Sequence, residues 1–116
     1  MDSNIELLQR EICRKHNASY VPPGNNLKVG IAENVMEHVY PINGLRVPPE
    51  GGTAGWYIWA GEGEPSTDPD FFKPLHVAHL EDWCPEAIPY LGLPPGWRFL
   101  LAPGYHDVWF DPRLLP

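Results

Sequence analysis

The sequence predicts an α+β fold: a single domain over residues 1–116 with a small, mainly antiparallel, twisted sheet, an N-terminal helix and a second short helix. Three observations predict it. One amphipathic helical run opens the chain. Two Gly-Trp pairs, Gly55-Trp56 and Gly96-Trp97, each lead into a short aromatic run of strand type. Fifteen prolines and eleven glycines are spread along the 116 residues rather than clustered, so they punctuate many short elements. Short strands and hairpin-length loops favour antiparallel pairing, because a parallel crossover consumes about a dozen residues or more.

Residues 3–16 read as the first helix. Ser3 and Glu6 have the spacing of a capping box, and Ile5, Leu8 and Ile12 form an apolar stripe. Arg14, Lys15 and His16 complement the dipole at its end. Residues 27–33 alternate as a strand through Leu27, Val29 and Ile31. Residues 34–40 suit either one helical turn or a continued strand, and Pro41 ends them. Asn43-Gly44 marks a turn before a short extended piece, 45–47, and a Pro/Gly loop, 48–53.

Residues 56–60 are apolar at every position and read as a central strand covered on both faces. Residues 61–69 form a polar loop. Residues 75–80 alternate as a third strand, and 81–91 read as the second helix, entered at Pro85 and limited by Pro89. Residues 97–102 and 108–110 pair as a hairpin through the connection 103–107. Trp56, Ile58, Phe99, Leu101, Val108 and Phe110 are the expected core contributors from these strands. The tail from Asp111 should lie on the surface.

Charge narrows the function classes. The net charge is −7, divided as −1 over residues 1–50 and −6 over residues 51–116. A nucleic-acid binder carries the opposite sign. No apolar run approaches the ~20 residues needed to cross a bilayer. Cys13 and Cys84 lie far apart with no CxxC pattern, and the first residues are polar, with no signal-peptide core. The expectation is a soluble, cytoplasmic protein with two free thiols.

Motifs for chemistry are weak. His76, His79, Glu81 and Cys84 are residue types that suit zinc, but an odd separation on a strand would point the two histidines to opposite faces. Cys84 with His79 or His106 is the only nucleophile pair, and its apolar neighbours Trp83 and Pro85 imply a buried, inert thiol. The carboxylate pairs Glu62/Glu64 and Asp107/Asp111, with five tryptophans, raise sugar binding or hydrolysis as an alternative. Trp56 and Trp59 fall inside an apolar strand, where core packing is the plainer role. No catalytic residue, metal site or cofactor is assigned.

Five motifs in succession carry a family resemblance. They are the segment from Pro41 through Asn43-Gly44 to Gly51-Gly52, then Gly55-Trp56-Tyr57-Ile58-Trp59-Ala60-Gly61-Glu62, then Phe72-x-Pro74-Leu75-His76-Val77, then Leu91 through Pro94-Pro95-Gly96-Trp97-Arg98-Phe99, then Asp107-Val108-Trp109-Phe110-Asp111. In combination they resemble the bacterial immunity protein thirty-three family over roughly residues 27–115. The resemblance implies a small cytoplasmic α+β protein that protects a bacterium from a polymorphic toxin by stoichiometric binding. It carries over no catalytic residue.

The residues themselves suit such a role. The acidic half would attract a basic toxin surface. The expected contacts are Glu62, Glu64, Asp68 and Asp70 on the polar loop and Tyr105, His106 and Asp107 on the last hairpin, with Tyr105 and His106 as anchors. The alternative is a small ligand- or carbohydrate-binding or enzymatic domain that uses Trp and carboxylate side chains in a pocket. The direction in which the tryptophans point separates the two.

Overall fold

Six strands form one sheet in the order β4-β1-β3-β2-β5-β6. The computed structural model describes residues 3–116, apart from the Ser3 side chain. The expected Ser3–Glu6 cap therefore lies outside the described residues. The elements are α1 (Ser3–Lys15), β1 (Lys28–Ala32), β2 (Ile42–Arg46), β3 (Thr53–Ala60), β4 (Phe72–His76), β5 (Trp97–Ala102) and β6 (Tyr105–Phe110). Short 3-10 turns occupy Glu33–Glu37, Val77–Asp82, Pro85–Tyr90 and Pro112–Leu114. β1 and β3 run parallel, while the other four strand pairs are antiparallel. The α+β class and the mainly antiparallel sheet hold.

Alternation along the paired strands assigns one face to the core. Val29 and Ile31, Ile42, Trp56 and Ile58, and Phe99 and Leu101 are all buried there. The second layer is α1 with the turns that follow β4, which contribute Leu80, Cys84, Ala87, Ile88 and Tyr90. On α1 the buried stripe differs from the expected one. Leu8 is 49% exposed, whereas Gln9 and Cys13 are buried. Gln9 is tolerated because its Nε2 donates to the Ile88 carbonyl at 2.9 Å and its Oε1 accepts from the Tyr20 hydroxyl at 3.0 Å. The opposite face of the sheet carries Tyr57, Trp59 and Phe72, with ring centroids 5.1 Å apart for Tyr57–Phe72 and 6.2 Å for Trp59–Phe72.

Several local expectations are corrected. Asn43-Gly44 is not a turn but the middle of β2, which pairs β3 on one side and β5 on the other. Glycine is required there because the Phe99 ring fills the space a Cβ would take. The strand expected at 75–80 ends at His76, and Val77–Asp82 coils into a 3-10 turn. The second helix, expected over 81–91, is a pair of 3-10 turns, because Trp83 and Cys84 interrupt it and Pro85 and Pro89 lack the donors an α-helix needs. Phe110 is 46% exposed rather than in the core, and stacks edge-on against Trp97 at 5.8 Å.

The two margins of the sheet differ. β4 carries exposed Lys73 and Pro74, two residue types that discourage pairing with another strand. β6 has neither lysine nor proline along its six residues.

Arg46 is a charge buried in the core. Its Nε donates to the Ala54 carbonyl at 2.9 Å. Its Nη1 donates to Val21 at 2.6 Å and Leu93 at 2.7 Å, with a longer contact to Leu91 at 3.4 Å. Desolvation by burial lowers its pKa to about 10, so it remains charged at neutral pH.

Phe99→Ala should destabilise the protein by about 3–5 kcal/mol in denaturant titration, since it removes a fully buried ring from β5. A loss below about 1 kcal/mol would contradict its packing. Arg46→Met keeps the side-chain length but removes the donors to the Val21, Ala54 and Leu93 carbonyls. With about 1–3 kcal/mol at risk for each acceptor left unsatisfied, a loss of several kcal/mol is expected. Stability equal to the parent would show that those carbonyls find other donors.

Candidate functional site: an acidic end of the sheet

Register brings three connections to one end of the sheet. Ile42 pairs with both Ala60 and Leu101, Ala102 pairs with Tyr105, and Ala32 pairs with Phe72. The turn after β1, the loop between β3 and β4, and the β5–β6 turn therefore share that end. Side chains fix the start of the loop. Asn34 extends the β3 ladder, with Nδ2 donating to the Ala60 carbonyl at 2.8 Å and Oδ1 accepting from the Ala60 amide at 3.0 Å. Asn43 Nδ2 donates to the Gly61 carbonyl at 2.8 Å, and the Gly61 amide donates to Pro41 at 2.9 Å. Trp59 Nε1 donates to Gly63 at 3.2 Å, folding the loop back over the aromatic face.

Glu62, Glu64, Asp68 and Asp70 are all exposed on this loop. Glu64 reaches Arg98 at 3.3 Å. Asp68 shapes the loop, since its Oδ1 accepts from the Asp70 amide at 2.9 Å. Glu62 and Asp70 stand where the loop leaves and rejoins that end of the sheet, whereas Glu64 lies over the aromatic face, beside the strand position that pairs with Trp109.

Tyr105, His106 and Asp107 lie on β6 rather than in a connection, because the turn is only Pro103-Gly104, with Gly104 at φ +74°. Alternation then separates them: Tyr105 and Asp107 share the aromatic face, and His106 lies on the core face. His106 Nδ1 sits 2.6 Å from the Tyr90 hydroxyl. Burial pushes the Tyr90 phenol pKa up, so that hydroxyl keeps its proton. Tyr105 is 55% exposed.

The carboxylate pairs considered for acid–base chemistry separate. Asp111 is buried between two arginines. Arg113 bonds it through Nε at 3.0 Å and Nη2 at 3.1 Å, and Arg98 Nη1 lies 3.2 Å away. Hydrogen bonds from the Arg113 side chain, with those from its backbone amide and Arg98, hold Asp111 at about 2, well below its ordinary value of 3.8. It is an ionised structural group, while Asp107 is exposed.

Cys84 is buried and donates to Glu86 Oε1 at 3.1 Å. Desolvation by burial, reinforced by Glu86, drives its thiol pKa far up, away from nucleophilic range. Cys13 is also buried with a raised pKa, from burial. His76 and His79 lie with ring centroids 6.0 Å apart, because His79 sits on a 3-10 turn rather than across a strand. Among the described residues, no group of three or more His, Cys, Asp or Glu is placed to hold a metal ion. Trp56 and Trp59 are buried, and Trp56 Nε1 donates to the Leu91 carbonyl at 3.0 Å.

Sequence reasoning missed a groove of about 390 Å³ beside the acidic loop. Val35 and Ile42 are its buried residues. Met36, Tyr40 and Trp83 line it, together with Glu81, Asp82 and Glu86. A signal was present: residues 29–45 and 74–97 carry five carboxylates and neither lysine nor arginine. No helix among the described residues is long and apolar enough to cross a membrane.

Asp111 gives a pH prediction. Its folded-state pKa is depressed, so its stabilising contribution is present above about pH 4 and is lost as pH falls through about 2. In urea titrations from pH 7 to pH 2, Asp111→Asn should lower stability at neutral pH and flatten the acid-side loss. An unchanged acid limb would show that other carboxylates set it.

A family model, the Imm33-like domain, matches residues 8–111, from within α1 to the carboxylate held by Arg98 and Arg113. No curated protein and no solved structure matched the chain. The match takes in all six strands and the acidic loop, and the chain belongs to the Imm33-like family.

Proposed function

We propose that the chain is an immunity protein that neutralises a cognate bacterial toxin by stoichiometric binding in the cytoplasm, without catalysis. Membership of the Imm33-like family supports the class of function. The observation that carries the mode is the run of exposed carboxylates Glu62, Glu64, Asp68 and Asp70 on the loop that leaves the end of the sheet where β6 begins and folds back over the aromatic face, Glu64 reaching Arg98. Such an acidic loop steers a basic surface into contact through long-range attraction. Tyr105 and Asp107 extend the contact along the aromatic face of β6, with exposed Tyr105 as an aromatic anchor, and His106 borders it from the other face of the strand. The ligand-pocket alternative is less favoured, because Trp56 and Trp59 spend their rings on buried packing.

The test replaces Glu62 and Glu64 by Gln, and Asp68 and Asp70 by Asn. The fold should persist. The Glu64–Arg98 pair is exposed on the Glu64 side, and the side-chain amide oxygen that Asp68→Asn leaves in place can still accept from the backbone amide of residue 70. Association with the toxin encoded beside this gene should slow by roughly tenfold at low salt and lose most of its salt dependence. Unchanged association kinetics and full protection in co-expression would remove this loop from the interface. Turnover of a small substrate by the purified protein alone would overturn the non-enzyme reading.

A further inference from the structure

We propose that the groove between residues 35–42 and 81–86 is the seat for an arginine or lysine side chain of the toxin. This inference rests on the immunity reading above and names the partner chemistry that one part of the interface takes.

The groove is amphipathic in a particular way. Its interior is apolar: Val35 and Ile42 are buried, and Met36 and Tyr40 are 45% and 41% exposed on its wall. Apolar side chains exposed together beside a concavity mark a recognition surface more than isolated ones do. The rest of its lining is Trp83, Pro85, the exposed His38 imidazole and three exposed carboxylates, Glu81, Asp82 and Glu86, so carboxylates outnumber the one basic side chain. The ion pairs among the described residues join Glu6 to Arg10, Arg98 to Glu64 and Asp111, and Arg113 to Asp111. None neutralises the groove. Among the described residues, Glu86 accepts from the Cys84 thiol, which supplies no charge.

A side chain that satisfies both halves needs an aliphatic stem and a cationic head. The stem packs against Met36 and Ile42. The head meets the carboxylates, and the Tyr40 and Trp83 rings offer cation–π faces. Arginine fits best, since its guanidinium stacks on aromatic rings and forks onto carboxylates. A volume of about 390 Å³, at the small end of the range for ligand clefts, leaves room for one such side chain. The groove also adjoins the acidic loop, because Asn34 is bonded to Ala60 and Pro41 to Gly61. Loop and groove then divide the work: the loop governs approach, and the groove governs residence.

Two measurements test this. In amide and indole NMR spectra of the protein, acetyl-arginine amide should give saturable shifts at Met36, Tyr40 and the Trp83 indole. Its neutral citrulline analogue should not, and the shifts should vanish in Glu81→Gln/Asp82→Asn/Glu86→Gln. With the neighbouring toxin, that triple variant should dissociate about tenfold faster or more, whereas the loop variant changes association. Met36→Lys, which places the protein's own cation in the groove, should also speed dissociation and guards against a folding defect in the triple variant.

Absence of saturable shifts, or equal shifts from citrulline, overturns the proposal. So does wild-type toxin dissociation from both variants, which leaves the immunity reading standing. Groove signals that move on dilution of the protein alone would identify a second copy as the occupant and overturn it as well. If the wild-type protein binds no neighbouring toxin while arginine amide saturates the groove, the toxin assignment falls and the groove's preference for a guanidinium stands.

Discussion

The Arg46 guanidinium is the interaction on which the rest of this architecture depends. It is buried on β2 beneath the second layer, and it donates to carbonyls from three separate places: the 20–23 segment, β3 and the 91–93 loop. Of these carbonyls, those of Val21 and Leu93 lie outside the strands, and that of Ala54 lies near the start of β3, where the pairing with β1 is irregular. A neutral apolar core would leave them without partners, at a cost of about 1–3 kcal/mol each. A charge is costly to bury, but several short bonds to oxygen, with Trp56 alongside at 5.6 Å, compensate. Because β2 lies between β3 and β5, fixing Arg46 also fixes the strand that joins the two halves of the sheet.

Much of this was legible in the sequence, and the failures have identifiable physical causes. Helix α1, the central position of β3 and the β5–β6 hairpin followed from periodicity and turn residues. Asn43-Gly44 misled because an Asn-Gly pair encodes permissive backbone, which serves a ring contact as well as a turn. Here Gly44 makes room for Phe99, and Asn43 binds carbonyls of the next strand. The 75–80 alternation is real, yet 3-10 turns bury Val77 and Leu80 just as well. Polar Gln9 and charged Arg46 in the core were invisible, since their partners are backbone carbonyls distant in sequence.

For the site, the chain order of charges was readable but its distribution in space was not. The four loop carboxylates are exposed as expected, while β6 alternation divides Tyr105 and Asp107 from His106. Asp111 is diverted into a structural role by Arg98 and Arg113. The groove is assembled from two segments about forty residues apart, each ordinary when read alone. Only the register of β2 against β3 shows that its wall and the acidic loop share one end of the sheet.

The unequal margins of the sheet carry a consequence for assembly. A protein whose sheet accepts a strand at both margins can propagate without limit, copy upon copy. Lys73 and Pro74 discourage pairing at the β4 margin, and β6 carries no such residue. Strand addition, were it to occur, would have a valence of one: a single guest strand, or a single twin, would saturate it. A copy that paired there would cover the open margin of both molecules, so that route ends at two copies and not in a filament.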